Sequence, residues 1–333
     1  MLPNLSLFCS VEKSFNVALA TSLVQHFPPK HHARALRIID QILQQDADNV
    51  PSLMCRGYIY QHIKNWTESA SLFSRVIELS PADTDNAVRA KEEHAWCMVQ
   101  LRALEQGVRE LQDTLSALLS LEGKEEDKAR CQWRLGKAHW EMGGSYSISH
   151  LFHSSFVDPA VQREIAYDHF IKSLKYSPTF APAFTSLGLY YLEAAGPPDP
   201  NRASKCFQKA FELDAREAEA ARRLAEGFAE EREWDLVEVV AKRAIEGEGG
   251  LGDGMPASGG EQVVPGRYLP TNAWAWKAVG VVDLVGYLVL IYLTSRADER
   301  SPFVRTDGTS ALPSSPFRLL FALIQTISSP GSA

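Results

Sequence analysis

Apolar residues recur every three or four positions through most of this chain, the spacing that predicts amphipathic helices. In the clearest example, Leu53, Gly57 and Tyr60 share one helical face, and Phe73 lies on the face of a second helix. Glycine permits close approach of the two helices, the aromatic rings fill the space beside it, and Pro81 ends the second helix. This order predicts a helix–turn–helix unit that buries its apolar face against copies of itself.

The same order of residues recurs farther along the chain. Gly188, Tyr191 and Phe207 repeat it, and Phe170 and Pro178 repeat its second half. The small–aromatic–aromatic–proline order is the signature of the tetratricopeptide repeat, a unit of about 34 residues. We therefore predict an all-α fold, a tetratricopeptide-repeat superhelical solenoid with a poorly ordered C-terminal tail.

The repeat spacing divides the chain into four parts. An array of about five helix pairs is predicted over 1–247, with a serine-rich insertion at 143–160 inside one pair. A glycine-rich linker is predicted over 248–269, followed by an orphan repeat helix over 270–284. No repeat position can be assigned in 285–333, for which the composition predicts an irregular tail.

Composition narrows the class of protein. A hydrophobic content of 45% and a charged content of 23% fit a soluble protein with a core. The formal net charge of −7 argues against a nucleic-acid surface over the whole chain. The five scattered cysteines predict reduced thiols in a cytoplasmic or nuclear protein. We expect no signal peptide, because the N-terminus lacks a basic segment followed by a long apolar run. We expect no membrane partner, because the apolar run at 284–294 is too short to cross a bilayer.

No motif for catalysis or for a cofactor is recognised. Gly247, Gly249 and Gly252 have the dinucleotide-binding spacing, but they follow a helix rather than a strand and fit a linker better. His150 and His153 lie in the insertion, where solvated loop histidines are the better interpretation because metal sites need three or four convergent ligands. We therefore predict a protein that is not an enzyme and has no cofactor, metal or catalytic residues.

Two tryptophans are candidates for contact with a protein partner. Trp133 and Trp140 are seven residues apart and share one face of a first helix. The simpler interpretation places them in the core between repeats. The alternative places them on the concave groove of the solenoid, where aromatic side chains make strong anchors. The candidate partner-binding residues on this groove are Met54, Tyr58, Trp133, Lys137, Trp140 and Leu189.

One stretch carries more than the repeat pattern. The block EREWDLVEVVAKRAIEGEGG at 231–250, with the helix around Trp274 and Trp276, resembles the tetratricopeptide scaffold subunit of the superkiller (Ski) complex, particularly fungal forms. The resemblance extends back to about Leu36. Members of that family are several times longer, and the pattern is lost after Asp283. We therefore expect either a fragment or a mispredicted exon boundary, with 285–333 foreign to the family.

The resemblance implies a non-catalytic cytoplasmic scaffold that assists exosome-mediated 3′–5′ decay of mRNA. Its expected partners are a DExH RNA helicase, WD-repeat subunits and a cytoplasmic exosome adaptor, with RNA contacted only indirectly. A generic tetratricopeptide adaptor for another assembly, such as a chaperone or cell-cycle complex, stays open as the alternative. An enzyme with a helical accessory region is disfavoured, because no stretch outside the repeats is long enough to hold a site.

Overall fold

The computed structural model describes residues 5–25, 31–81, 85–144, 158–247, 274–275 and 277–286. These residues are helices and short turns, and no strand occurs among them. Twelve of the helices fall between residues 5 and 247. They are α1 Leu5–Gln25, α2 His32–Gln45, α3 Val50–His62, α4 Trp66–Leu79, α5 Asp85–Gln100, α6 Leu104–Leu119, α7 Glu125–Gly144, α8 Pro159–Tyr176, α9 Ala181–Glu193, α10 Pro200–Leu213, α11 Ala218–Glu230 and α12 Trp234–Gly247.

These helices pack in chain order. Each odd-numbered helix packs on the even-numbered helix that follows it, and each pair packs on the next pair. Consecutive first helices also contact one another from α1 and α3 through to α9 and α11. The first helices therefore form one layer and the second helices another, as in a stack of helical repeats. This arrangement confirms the predicted all-α solenoid of tetratricopeptide repeats.

The chain divides into two compact units, Met1–Ala278 and Val279–Ala333. Of the second unit, only the helical residues 279–286 are described. The predicted linker at 248–269 lies outside the described residues, as do 145–157 of the insertion and 287–333 of the tail. The following account concerns α1–α12.

A glycine of the first helix faces a phenylalanine of the second helix in three of the pairs. A Cβ atom added at Gly57 would lie 2.6 Å from Cζ of Phe73. At Gly136 it would lie 2.5 Å from Cε1 of Phe170, and Gly188 stands in the same relation to the ring of Phe207. The phenylalanine rings are buried, and each stabilises the fold by about 2–3 kcal/mol. The missing side chain is what lets the helices meet at this distance.

The α5–α6 pair reaches the same closeness by another route. Ala95 of α5 is fully buried, and the glycine lies on the second helix instead. A Cβ atom added at Gly107 would lie 2.6 Å from Cγ2 of Val99. In this pair the small residue, Gly107, is on the second helix and the larger side chain, Val99, is on the first helix. This is the reverse of the three glycine–phenylalanine pairs and explains why the sequence of this pair looks irregular.

Three first helices end in the same turn. Lys64, Arg102 and Arg232 have φ angles of 62°, 66° and 63°, in the left-handed region that favours glycine. In the first turn, the N–H of Asn65 donates to the carbonyl of Tyr60 at 2.9 Å, and equivalent bonds close the other two turns at 3.0 and 2.9 Å. The shared geometry fixes the register of the helices: Ala95 is the counterpart of Gly57, seven residues before the turn.

Two histidines pair across α7 and α8. The rings of His139 and His169 are stacked with centroids 5.5 Å apart and planes 6° from parallel. Nδ1 of His139 donates to Gln162 at 2.7 Å, and Nδ1 of His169 donates to Gln132 at 2.6 Å. Burial, together with the neighbouring His139, lowers the pKa of His169 to about 4. His169 is therefore neutral at physiological pH.

Substitution of Gly136 by alanine should destabilise the fold by about 1–3 kcal/mol, because Phe170 and the backbone carbonyl of Ala166 leave no room for a methyl group. Gly227→Ala is the matched control, since Gly227 is in α11 with nothing within 4 Å of an added Cβ. It should stabilise by about 0.5–1 kcal/mol. Urea unfolding followed by circular dichroism measures both; a Gly136→Ala variant as stable as the parent would contradict the tight contact.

Acidification should weaken the α7–α8 pair through His169. Its folded pKa of about 4 lies below the ordinary value of 6.5, so the unfolded state binds the proton more readily. The stabilisation is complete above pH 6.5 and is lost as the pH falls towards 4. We expect His169→Gln to reduce this loss by roughly 1–3 kcal/mol, allowing for solvent screening. Parallel slopes of unfolding free energy against pH for parent and variant would refute it.

Candidate protein-interaction surface

The first helices present one side away from the second-helix layer, here called the first-helix face. All of the residues predicted to contact a partner lie on α3, α7 or α9, which contribute to this face. Five of them are half-buried. These are Tyr58, Trp133, Lys137, Trp140 and Leu189.

Met54 is the exception and corrects the prediction. Its side chain is 6% exposed and belongs to a core cluster with Leu53, Phe73 and Val76. Helical periodicity assigns Met54 to the first-helix face of α3, but the core cluster formed with α4 and α5 buries its side chain. Met54 is therefore a core residue and leaves the candidate set.

Aromatic rings from successive first helices meet on this face. Trp133 of α7 lies 5.6 Å from Trp96 of α5 between ring centroids, and 6.0 Å from Phe180, which precedes α9. The indole Nε1 of Trp133 donates to Ser186 Oγ of α9 at 2.9 Å. Trp133 thus joins three repeats while remaining half-buried, so it serves the contact between repeats and is still partly exposed at the surface.

Trp140 and Lys137 lie farther along α7. The guanidinium carbon of Arg163 stands 4.5 Å above the ring of Trp140, a distance at which a cation and an aromatic face attract. Lys137 is close enough to act electrostatically on Glu217, whose Oε2 accepts a hydrogen bond from Thr185 at 2.7 Å. Burial raises the pKa of Glu217. This part of the face therefore combines an aromatic ring with a cation and a partly desolvated carboxylate.

A buried ion network supports the aromatic residues. Glu92 and Glu93 of α5 are 1% and 3% exposed. Arg130 of α7 donates to both oxygens of Glu92 at 2.9 and 2.6 Å, and Arg134 donates to Glu93 at 2.8 Å. Gln61 of α3 donates to the same carboxylate at 3.0 Å, so the network spans three repeats.

The network holds its arginines charged. Burial disfavours a charged guanidinium, but the hydrogen bonds and charge of Glu92 raise the pKa of Arg130 above its usual range. The two carboxylates likewise raise the pKa of Arg134 against its burial. The guanidinium of Arg134 also stands 5.5 Å from the ring of Trp96. The ion pairs and the aromatic row therefore form one connected layer.

Sequence reasoning missed Trp96 and the four charged residues of this network. The turn at Arg102 holds the signal that could have found Trp96, since it places Ala95 at the position of Gly57 and Trp96 at the position of Tyr58. The charged residues carry no such signal, because Arg130 and Arg134 meet glutamates 38 and 41 residues away only after the repeats stack.

The described residues offer little for other kinds of site. They contain no group of three or more His, Cys, Asp or Glu side chains placed to hold a metal ion. No described helix is both long and apolar enough to cross a membrane. Burial raises the pKa of the Cys55, Cys97 and Cys131 thiols, which makes them weak nucleophiles. The histidines at 150 and 153, and the glycines at 249 and 252, lie outside the described residues.

The paired helices, their glycine–phenylalanine contacts and their two layers define a tetratricopeptide-repeat protein. Comparison with known proteins identifies a particular relative. The chain is 31% identical to superkiller protein 3 of Schizosaccharomyces pombe over 231 residues, which is 69% of this chain and 15% of that protein. Superkiller protein 3 of Saccharomyces cerevisiae is 28% identical over 82% of the chain, and human superkiller complex protein 3 is 30% identical over 56%.

The chain is thus a homologue of one segment of superkiller protein 3, as its sequence predicted. It spans less than a fifth of the length of these relatives, 15%, 17% and 10% in turn. No protein-family model matches the chain. Solved structures overlap in part: the pilus biogenesis factor PilW covers 70% of the chain at 14% identity and a TM-score of 0.47, and MamA covers 54% at 20% identity and 0.36.

Replacement of Arg134 by methionine should destabilise the fold by about 3–5 kcal/mol, because it leaves the carboxylate of Glu93 buried without its cation. Arg102→Met is the matched control. The Arg102–Glu141 pair is exposed, with side chains 67% and 36% accessible, and its loss should cost no more than about 1 kcal/mol. Urea unfolding compares the two variants, and equal losses would show that the buried network stabilises no more than a surface pair.

Proposed function

We propose that this chain is a non-catalytic scaffold segment of the superkiller complex, assisting exosome-mediated 3′–5′ decay of mRNA in the cytoplasm. The similarity to superkiller protein 3 across 69% of the chain carries the proposal. A stack of helical repeats suits this role, because it presents extended surfaces to several proteins at once. The proposed partners are a DExH RNA helicase, WD-repeat subunits and an exosome adaptor, with RNA contacted only through them.

The first-helix face is the proposed partner surface. Trp96 joins the set that remains after the removal of Met54, and the aromatic rings supply the anchors that dominate many protein interfaces. The ion network beneath them fixes Trp96 and Trp133 before a partner arrives, so little conformational entropy is lost on binding. The proposed contact residues are Tyr58, Trp96, Trp133, Lys137, Trp140 and Leu189.

The domain organisation proposed with this function keeps the predicted boundaries. The repeat array over 1–247 is the interacting part, and 248–269 is a linker. We propose that 270–284 is the start of a further repeat and that 285–333 is the tail, of which residues 285 and 286 are still helical. The composition of the last two segments, together with the loss of repeat spacing after Asp283, supports this division.

Affinity purification of the tagged chain from a fungal host tests the function. A DExH helicase and WD-repeat proteins should co-purify with the parent chain. Trp140→Asp should reduce their recovery at least about tenfold, since loss of an aromatic anchor costs about 2 kcal/mol or more. Val161→Asp is the control, because Val161 is 48% exposed on the second helix of the same pair.

The outcomes separate the alternatives. Recovery of a chaperone without the helicase would identify a generic adaptor, and substrate turnover by the purified chain would contradict the non-catalytic role. Trp140 packs near the core cluster of Phe170, so Lys137→Glu serves as a second variant if Trp140→Asp unfolds. Unchanged recovery with a folded Trp140→Asp or Lys137→Glu variant would rule out this face as the partner surface.

A further inference from the structure

A groove of about 530 Å³ opens between α4, α5 and α6. Its wall on α5 consists of Val88, Lys91 and His94, which are three residues apart and form one stripe of the helix. At 100° per residue this stripe lies on the opposite side of α5 from Glu93 and therefore faces away from the first-helix face. The volume falls within the range of about 300–1,000 Å³ that is usual for binding sites.

One end of the groove is aliphatic. Ile77 of α4, Val88 of α5 and Ala117 of α6 line it, with Leu121 just beyond the end of α6. Leu121 is 37% exposed, and Val88 is half-buried. An aliphatic side chain entering here would remove this apolar surface from water, which favours binding by about 25 cal/mol per Å².

The other end is acidic. Glu110 and Asp113 of α6 face His94 and Lys91 of α5 across the groove. The oxygens of Glu110 accept hydrogen bonds from His94 Nδ1 at 2.7 Å and from Gln106 at 2.8 Å. Asp113 is exposed and makes no hydrogen bond or ion pair with the described residues. Because Glu110 is already hydrogen-bonded to His94 and Gln106, the exposed carboxylate of Asp113 is the group that remains open to a cation.

We propose that this groove binds an extended segment of a partner protein that carries an aliphatic side chain and, three or four residues away, a lysine or arginine. The aliphatic side chain packs on Ile77 and Leu121, and the cation pairs with Asp113. The exposed carboxylate of Asp113, which no described side chain pairs with, selects the cation.

The distance between Asp113 and Leu121 sets the spacing between the cation and the aliphatic side chain of the bound segment. Asp113 on α6 and Leu121 just beyond its end are eight residues apart, a separation of about 12 Å at the helical rise of 1.5 Å per residue. An extended chain advances about 3.3 Å per residue, so three to four residues cover that distance. Lys91 comes between Val88 and His94 on the α5 wall, and its ammonium can donate a hydrogen bond to a carbonyl oxygen of the segment.

The test uses a fluorescein-labelled peptide with the core Leu-Ser-Ser-Arg and measures fluorescence anisotropy on titration with the full chain. Saturable binding is expected. Asp113→Asn should weaken it at least fivefold, and a peptide with Glu in place of Arg should bind at least tenfold more weakly. Gln112→Lys is the matched control: it changes the net charge by the same amount at an exposed position of α6 outside the groove, and should weaken binding less than twofold.

A second variant locates the aliphatic subsite. Ala117→Arg fills the groove and should abolish saturable binding, with circular dichroism confirming that the variant is folded. If that variant unfolds, the exposed Asp113→Asn substitution still decides the matter. The proposal is overturned if the parent chain shows no saturable binding, if Asp113→Asn and Gln112→Lys have equal effects, or if the Arg and Glu peptides bind equally well.

Discussion

The close contact between a glycine on one helix and a phenylalanine ring on the next sets the geometry of this protein. At Gly57, Gly136 and Gly188 the distance between paired helices is limited by a buried ring rather than by two side chains. Because the same limit acts in these three pairs, and the contact of Gly107 with Val99 brings α5 and α6 similarly close, these pairs have matching thickness and their first helices fall into one layer. The first-helix face, its aromatic row and its ion network all require that layer.

The sequence was enough to predict the fold, because the determinants of each repeat are local. Gly57 and Phe73 are 16 residues apart and recur as Gly188 and Phe207. The candidate surface was predictable only in part. Met54 was wrongly included, since periodicity gives the side of a helix on which a residue lies but not whether neighbouring helices bury it. Trp96 was missed because the position that glycine occupies in other repeats, such as Gly57, is Ala95 in this one.

The charged residues show a further limit of sequence reasoning. Two adjacent glutamates in α5 resemble a solvated stretch of helix, yet Glu92 and Glu93 are almost fully buried. Their partners Arg130 and Arg134 come from the next repeat, and nothing local relates the two groups. Helix α5 consequently carries Glu93 and Trp96 on one side and the stripe of Val88, Lys91 and His94 on the other, with Glu92 between them. A single helix thus contributes to both surfaces proposed for partners.

The repeated turn at Lys64, Arg102 and Arg232 bears on how such an array changes during evolution. Each turn holds a non-glycine residue in a left-handed conformation and closes the first helix at a fixed position, so an added residue would rotate the following helix by about 100° and misdirect its apolar stripe. Within the described residues, helix α7 runs for 20 residues to Gly144 without a turn of this kind, and α9 also ends at Glu193 without one. The junctions after α7 and α9 are therefore less constrained than the closed turns, and lineages should differ in length there while keeping the closed turns constant.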